Sequence, residues 1–168
     1  RHDNLVDWMR GNDVDAGLVH TADNVYYLSG VPLLSPWGRP LWYVITASGE
    51  SALIGSGIEL ENMQSSYFDQ VLWYDDEKHV EEAALDLAVK FLGSQNATLA
   101  LEASLLTQRQ LNGIESRFSS ATRHVELGDQ LAAWRLIKSA EELELLRLAG
   151  DVAKIGADAF LEEFREGV

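Results

Sequence analysis

The sequence has 168 residues, of which 46% are hydrophobic and 24% are charged, proportions that are ordinary for a globular protein. A formal net charge of −14 argues against a nucleic-acid partner, and the absence of cysteine excludes disulfides and thiolate chemistry. No apolar run reaches the roughly 18 residues of a membrane-spanning helix and the first residues do not resemble a signal peptide, so we expect a cytoplasmic protein without a membrane partner.

The amino-terminal part predicts a helix, a strand and a second helix. The stretch LVDWM at 5–9 places its apolar residues on one helical face, and DAGLVHT at 15–21 is typical of a buried strand. Thr21 and Asn24 are residue types that begin helices, and Gly30 is typical of a helix end. We therefore expect a short helix between them.

A proline-rich loop follows. All three prolines of the chain lie within nine residues, accompanied by two of the five tryptophans. Arg39 is the only Lys or Arg between Arg10 and Lys78, an interval that holds ten Asp and Glu. Proline fixes φ and favours an extended conformation in the residue before it, so this loop is expected to be stiff and non-helical.

The rest of the chain alternates strands with helices after one hairpin. The stretches 41–47 and 51–55 flank a turn and predict that hairpin. The later predicted elements are a helix over 58–66, a strand over 70–74, a helix over 78–92, a strand over 98–102, a helix over 107–118, a strand over 121–127 and a helix over 139–164. Ser139 followed by Glu142 predicts a capping box. A hairpin among βα units predicts an α/β fold with a mixed sheet and helices on both faces, in three layers.

Self-contained catalytic chemistry is not evident in the sequence. There is no G-x-S-x-G motif, and the GSGIE stretch is interpreted as a strand-to-helix turn. Asp76 and His79 are spaced to share a helix face, but a metal site needs three or four ligands, so we interpret them as a surface pair. His20, near the end of a predicted strand, is expected to make a structural hydrogen bond. We predict no catalytic residue and no metal ligand in this chain.

Arg39 has two interpretations. Its guanidinium offers a planar fork of donors that pairs with a carboxylate, and Trp37 and Trp42 beside it would exclude water. Alternatively, the two tryptophans close the edge of the core, and Arg39 is solvated or pairs with a nearby acid. The residues alone leave both interpretations open.

A family resemblance rests on two stretches, DAGLVHTADNVYYLSGV at 15–31 and WRLIKSAEELELLR at 134–147. They are similar to signatures of the creatinase/prolidase family, which includes the Xaa-Pro peptidases. The resemblance implies an N-terminal domain of ribonuclease-H-like topology over 1–137. It also implies that 138–168 is a long helix leading into a "pita-bread" catalytic domain absent from this chain.

The resemblance also implies where the chemistry lies. In this family two divalent metal ions (Mn, Co or Zn) are bound by two Asp, one His and two Glu of the second domain. We expect that domain beyond Val168, and we expect this chain alone to be inactive. Family members form homodimers in which a loop of this domain reaches the neighbouring active site. Trp37 and Arg39 match the aromatic-Gly-Arg segment of creatinase-like enzymes, which implies that both bind substrate in trans.

The function that this resemblance favours is that of a metal-dependent Xaa-Pro aminopeptidase or dipeptidase, acting on a dipeptide or another small molecule. The present domain would support the dimer and set specificity. A creatinase-like amidinohydrolase and an ectoine-type hydrolase are alternatives within the family. A catalytically inactive protein-interaction module, whose acidic surface suits a basic partner, is the alternative from another class.

Overall fold

A computed structural model describes residues 1–32, 39–66, 68, 70–76, 79–93, 98–118 and 123–164. The chain divides into two compact units, Arg1–Ala132 and Ala133–Val168. The predicted domain boundary after residue 137, with a catalytic domain to follow, stays a prediction. Within the described ranges, no helix is long and apolar enough to cross a membrane.

The first unit is built on a six-stranded sheet. Its strands are β1 (Ala16–Val19), β2 (Trp42–Thr46), β3 (Ser51–Ser56), β4 (Val71–Tyr74), β5 (Thr98–Leu101) and β6 (Arg123–Glu126). The helices of the chain are α1 (His2–Gly11), α2 (Ala22–Ser29), α3 (Leu60–Gln64), α4 (Val80–Leu92), α5 (Gln108–Glu115), α6 (Gly128–Leu136) and α7 (Ala140–Glu163). Two short 3₁₀ turns cover Gly57–Glu59 and Ala103–Leu105.

The strand order is β4-β3-β2-β1-β5-β6. Strand β2 is antiparallel to both of its neighbours, β1 and β3, whereas the other neighbouring pairs are parallel. The predicted hairpin is therefore confirmed as β2–β3, and the sheet is mixed, as predicted. Strands β4 and β6 form its two edges.

Helices cover both faces of the sheet. On one face, Leu18, Val44 and Leu101 form a buried cluster with Leu85 of α4 and Ile114 of α5. This cluster follows from period-2 alternation, which sends every second strand residue to the same face. The predicted class, α/β with a mixed sheet, is confirmed.

The opposite face lies close to α1 and α3. A Cβ added to Gly17 would lie 3.0 Å from Ile45 Cγ2 and 3.7 Å from Met9 Sδ of α1. A Cβ added to Gly55 would lie 2.6 Å from Met63 Sδ of α3. Glycine thus lets these two helices approach the strands closely, and the three layers are α4 and α5, the sheet, and α1 and α3.

Three local predictions were wrong. The helix predicted over 58–66 is divided into a 3₁₀ turn and α3. Helix α6 was not predicted, because its apolar residues lie side by side in the sequence and give no helical periodicity. Helix α4 begins at Val80, so Asp76 and His79 share no helix face.

The second unit contains α7. The Ser139 hydroxyl accepts a hydrogen bond from Glu142 N at 3.1 Å, and Glu142 Oε2 accepts one from Ser139 N at 2.7 Å. The predicted capping box is therefore confirmed. Two orphan backbone donors of the first turn are satisfied reciprocally by this arrangement.

A buried carboxylate joins two parallel strands to α2. Glu102 follows β5 and is 0% exposed. Its Oε2 accepts from the backbone N–H of His20 at 2.6 Å and of Thr21 at 2.8 Å. Its Oε1 accepts from the Thr21 hydroxyl at 2.5 Å and from Asn24 Nδ2 at 2.6 Å. The His20 ring lies with Nδ1 3.0 Å from Oε2 and stacks on Trp42, the ring centroids being 5.2 Å apart.

These contacts refine two predictions. His20 does lie in a structural cluster at the end of β1. Thr21 occupies the N-cap position of α2 without a capping hydrogen bond, and its hydroxyl donates to Glu102. Gly30 ends α2 with a φ of 72°, a left-handed conformation that glycine adopts without strain, as predicted.

The hydrogen bonds decide the charge state of Glu102. Burial by itself raises the pKa of a carboxyl group, but the hydrogen bonds from His20, Thr21 and Asn24 outweigh it and lower the pKa of Glu102 from 4.5 to about 2. A pKa that is lower in the folded state stabilises the fold above the unfolded pKa. That stabilisation is lost as the pH falls from about 4.5 toward 2.

We predict that Glu102→Gln lowers the free energy of unfolding at pH 7 by about 3 kcal/mol, since the shift spans more than two pKa units. The glutamine side chain would also place its own N–H groups against the N–H groups of His20 and Thr21, which need an acceptor. Urea unfolding at several pH values measures this. Because protonation of Glu102 removes its stabilising effect in acid, the free energies of unfolding of wild type and Glu102→Gln should converge between about pH 4.5 and 2.

The matched control is Glu126→Gln. Glu126 also accepts from two backbone amides, those of Ser104 at 3.0 Å and Gly128 at 2.7 Å, but it is only half-buried. Glu126→Gln should lower the free energy of unfolding by clearly less than Glu102→Gln does. Equal stability of Glu102→Gln and wild type at pH 7 would show that the buried carboxylate is not a main stabilising group.

Candidate functional site

The proline-rich loop ends in an arginine that is held by a carboxylate. Arg39 Nε donates to Asp76 Oδ2 at 2.5 Å. The other oxygen of Asp76, Oδ1, accepts from the Ser56 hydroxyl at 2.8 Å. The Arg39 and Asp76 side chains are 34% and 24% exposed, so the pair is accessible to solvent without being freely solvated.

The topology of the sheet brings these side chains together. Ser56 is the last residue of β3, and Asp76 lies two residues beyond the end of the parallel edge strand β4. The carboxyl ends of parallel strands meet at the same edge, which places the hydroxyl beside the carboxylate. Ser56 Oγ also accepts from Ile58 N at 3.3 Å at the start of the following 3₁₀ turn, so its side chain is held from two directions.

Both ends of the loop are bonded to neighbouring elements through backbone carbonyls. Before residues 33–38, the Pro32 carbonyl accepts from Asn62 Nδ2 of α3 at 3.0 Å. After them, the Pro40 carbonyl accepts from the Tyr74 hydroxyl of β4 at 2.7 Å. Burial raises the pKa of Tyr74, and the nearby charge of Asp76 raises it further, so the phenol remains protonated and able to donate.

The predicted site residues have different outcomes. Trp37 lies outside the described residues. Arg39 pairs with a nearby acid, as one interpretation expected, and this contact leaves substrate binding a prediction. Trp42 is fully buried in β2 and belongs to the core. Asp76 was interpreted as a surface partner of His79, which is wrong, because it binds Arg39 and Ser56.

Four residues that hold the loop were missed by sequence reasoning: Ser56, Asn62, Tyr74 and Asp76. Their partners are distant in sequence. The pairing of β3 with β4 brings Ser56 to Asp76, whereas Asn62 lies on α3. The available signal was a polar residue at or shortly after the end of each of two strands, Ser56 and Asp76.

A metal centre is not built by the part of the chain that the structure describes. No group of three or more His, Cys, Asp or Glu there is arranged to hold an ion. The two divalent metal ions that the resemblance implies therefore find no ligand set among these residues.

We predict that Tyr74→Phe lowers the free energy of unfolding by about 1 kcal/mol, because the hydroxyl that binds the Pro40 carbonyl is lost. Amide hydrogen exchange at Leu41 and Trp42 should become faster. Tyr26→Phe, which removes a hydroxyl from an exposed side chain, is the control and should change neither quantity. Unchanged stability and exchange in Tyr74→Phe would mean that this contact does not restrain the loop.

Comparison with known proteins identifies the domain. A family model described as the Creatinase/Prolidase N-terminal domain matches residues 1–137. The chain is 26% identical over 168 residues to the Xaa-Pro dipeptidase of Lactobacillus delbrueckii subsp. lactis, covering 99% of this chain and 45% of that protein. It is also 26% identical over 167 residues to the Xaa-Pro dipeptidase of Pyrococcus furiosus, covering 99% and 43%.

Solved structures agree on the fold. The prolidase from Pyrococcus horikoshii superposes with a TM-score of 0.74 at 22% identity, over 99% of this chain and 44% of that one. The chain thus spans less than half the length of these relatives. With its mixed six-stranded sheet and a family match that covers most of its length, this chain belongs to the creatinase/prolidase family and corresponds to the N-terminal domain of its members.

Proposed function

We propose that this chain is the non-catalytic N-terminal domain of a dimeric, cytoplasmic, metal-dependent Xaa-Pro dipeptidase or aminopeptidase. Its relatives of similar sequence are Xaa-Pro dipeptidases, and it aligns with their amino-terminal part. The two divalent metal ions, Mn, Co or Zn, would be bound by a second domain. The role of the present domain is to support the dimer and to set substrate specificity.

Arg39 is the residue we propose to bind substrate, reaching the active site of the neighbouring subunit together with Trp37. The observation that carries this proposal is a single arginine, without another Lys or Arg from residue 11 to 77. Asp76 binds its side chain, and Tyr74 binds the carbonyl of Pro40, the next residue. A guanidinium binds the carboxylate of a dipeptide through two parallel hydrogen bonds, and a lysine ammonium does not reproduce this geometry.

A local cation favours binding of a substrate carboxylate in a chain that is otherwise acidic. A formal net charge of −14 repels a carboxylate at long range. At contact distance, a fixed guanidinium outweighs this repulsion, because charge-assisted hydrogen bonds act where water is partly excluded. The same group would select peptides whose carboxylate lies at a set distance from the scissile bond.

We predict that Arg39→Ala in the full-length protein lowers kcat/KM for an Xaa-Pro dipeptide by about ten- to two-hundred-fold, since a charge-assisted pair of roughly 1.5–3 kcal/mol is lost. Arg39→Lys should restore only part of this loss. Steady-state kinetics with Ala-Pro measures the effect, and metal content and melting temperature should remain close to those of wild type.

The control is Arg109→Ala, which removes an exposed arginine whose Nη2 lies 3.8 Å from Glu82 Oε1. Its kinetics should match those of wild type. If Arg39→Ala also retains wild-type kinetics with Ala-Pro, the guanidinium does not bind substrate, and the proposal for this residue fails.

A further inference from the structure

We infer that Asp76, supported by Ser56, is a positioning residue that orients the Arg39 guanidinium toward the substrate carboxylate. This inference rests on the proposed function of Arg39. Asp76 would not touch the substrate itself. It would act by holding the arginine in the orientation that binds.

Asp76 binds the innermost nitrogen of the Arg39 guanidinium. Its Oδ2 accepts from Nε of Arg39, the guanidinium nitrogen nearest the main chain, at 2.5 Å. Because the guanidinium is planar, a bond at Nε restricts rotation of the whole group.

Asp76 is itself held in place by a second hydrogen bond. Its remaining oxygen accepts from the Ser56 hydroxyl at 2.8 Å, and Ser56 belongs to the neighbouring parallel strand. The carboxylate is therefore bonded on both oxygens and its rotation is restricted. The sheet, rather than the loop, sets the direction of the arginine.

The main chain beside Arg39 is also restrained, by a residue of β4. Tyr74 of β4 donates to the Pro40 carbonyl at 2.7 Å, only two residues before Asp76. The Arg39 side chain and the backbone at Pro40 are thus both held by residues at the end of β4. A long side chain that is already ordered loses less conformational freedom when it binds a ligand, which strengthens binding.

The exposure of the Arg39–Asp76 pair determines what this contact contributes. Because the Arg39–Asp76 pair is partly exposed, at 34% and 24%, solvent screens it and its contribution to folding is small. A contact that contributes little to stability but fixes a functional group in orientation is expected to affect binding more than folding. This difference makes the inference testable with folded variants.

The experiment uses the full-length protein with Asp76→Asn, Arg39→Ala, the double variant, and Asp75→Asn as the control. Asp75 is exposed and carries the same charge one residue earlier. Substrates are Ala-Pro and its carboxamide, which lacks the negative charge; the carboxamide is assayed by turnover or, if that is slow, as a competitive inhibitor. Melting temperature is measured for each variant.

We expect Asp76→Asn to lower kcat/KM for Ala-Pro by about five- to thirty-fold, mainly by raising KM. The carboxamide should be affected by less than about two-fold, because it does not need the oriented charge. The double variant should be no worse than Arg39→Ala, since Asp76 acts only through Arg39. Asp75→Asn should behave as wild type.

Other outcomes overturn the inference in distinguishable ways. Suppose that Arg39→Ala impairs turnover of Ala-Pro, but that Asp76→Asn leaves this turnover unchanged, improves it, or impairs both substrates equally. Asp76 then does not position the arginine, and the proposed function of Arg39 stands. If Arg39→Ala has no effect, the proposed function fails and this inference fails with it. Should Asp76→Asn not fold, Ser56→Ala replaces it: a loss of about two- to five-fold confined to Ala-Pro supports the inference, and no loss overturns it.

Discussion

The buried carboxylate of Glu102 is the constraint on which the geometry of the first unit depends. Strands β1 and β5 are about eighty residues apart in the chain, yet they lie side by side in the centre of the sheet. Glu102 binds the backbone that leaves β1 and the first turn of α2, so it fixes the direction in which that helix leaves the sheet. Helix α2 ends at Gly30, and the loop with the candidate site begins shortly after it.

Two carboxylates that follow strands thus have different consequences: Glu102 binds the start of α2, and Asp76 binds Arg39. Glu102 is fully buried and its donors lie in the protein interior, so its bonds contribute mainly to folding stability. Asp76 is partly exposed and binds a charged side chain, so its bond contributes mainly to orientation. The chemistry of the two groups is the same, and burial decides what each contributes.

Local signals in the sequence were sufficient for much of the fold. The hairpin β2–β3 and the capping box of α7 were predicted because each depends on residues that are near each other in the chain. Strand β5 and helix α4 were predicted from their apolar patterns. Helix α6 was missed because consecutive apolar residues carry no helical period.

The contacts of the candidate site were not predictable in the same way. The spacing of Asp76 and His79 suggested a shared helix face, but the position of Asp76 is set by the pairing of β4 with β3. Glu102 looked like the last residue of an ordinary strand, and nothing local indicates that its partners lie eighty residues away. Local patterns specify elements, whereas the order of strands specifies which polar ends meet. Arg39 was identified because its isolation in an acidic interval is a property of the sequence itself.

The claim that Arg39 acts in the neighbouring subunit's active site is tested most directly by mixing two impaired dimers. One carries Arg39→Ala, and the other carries a substitution that abolishes catalysis in the second domain. Each heterodimer would then hold one intact site, formed by the catalytic domain of the first subunit and the loop of the second. Random exchange should restore about a quarter of wild-type activity toward Ala-Pro. A mixture that stays as inactive as its parents, although heterodimers are shown to form, would contradict the account.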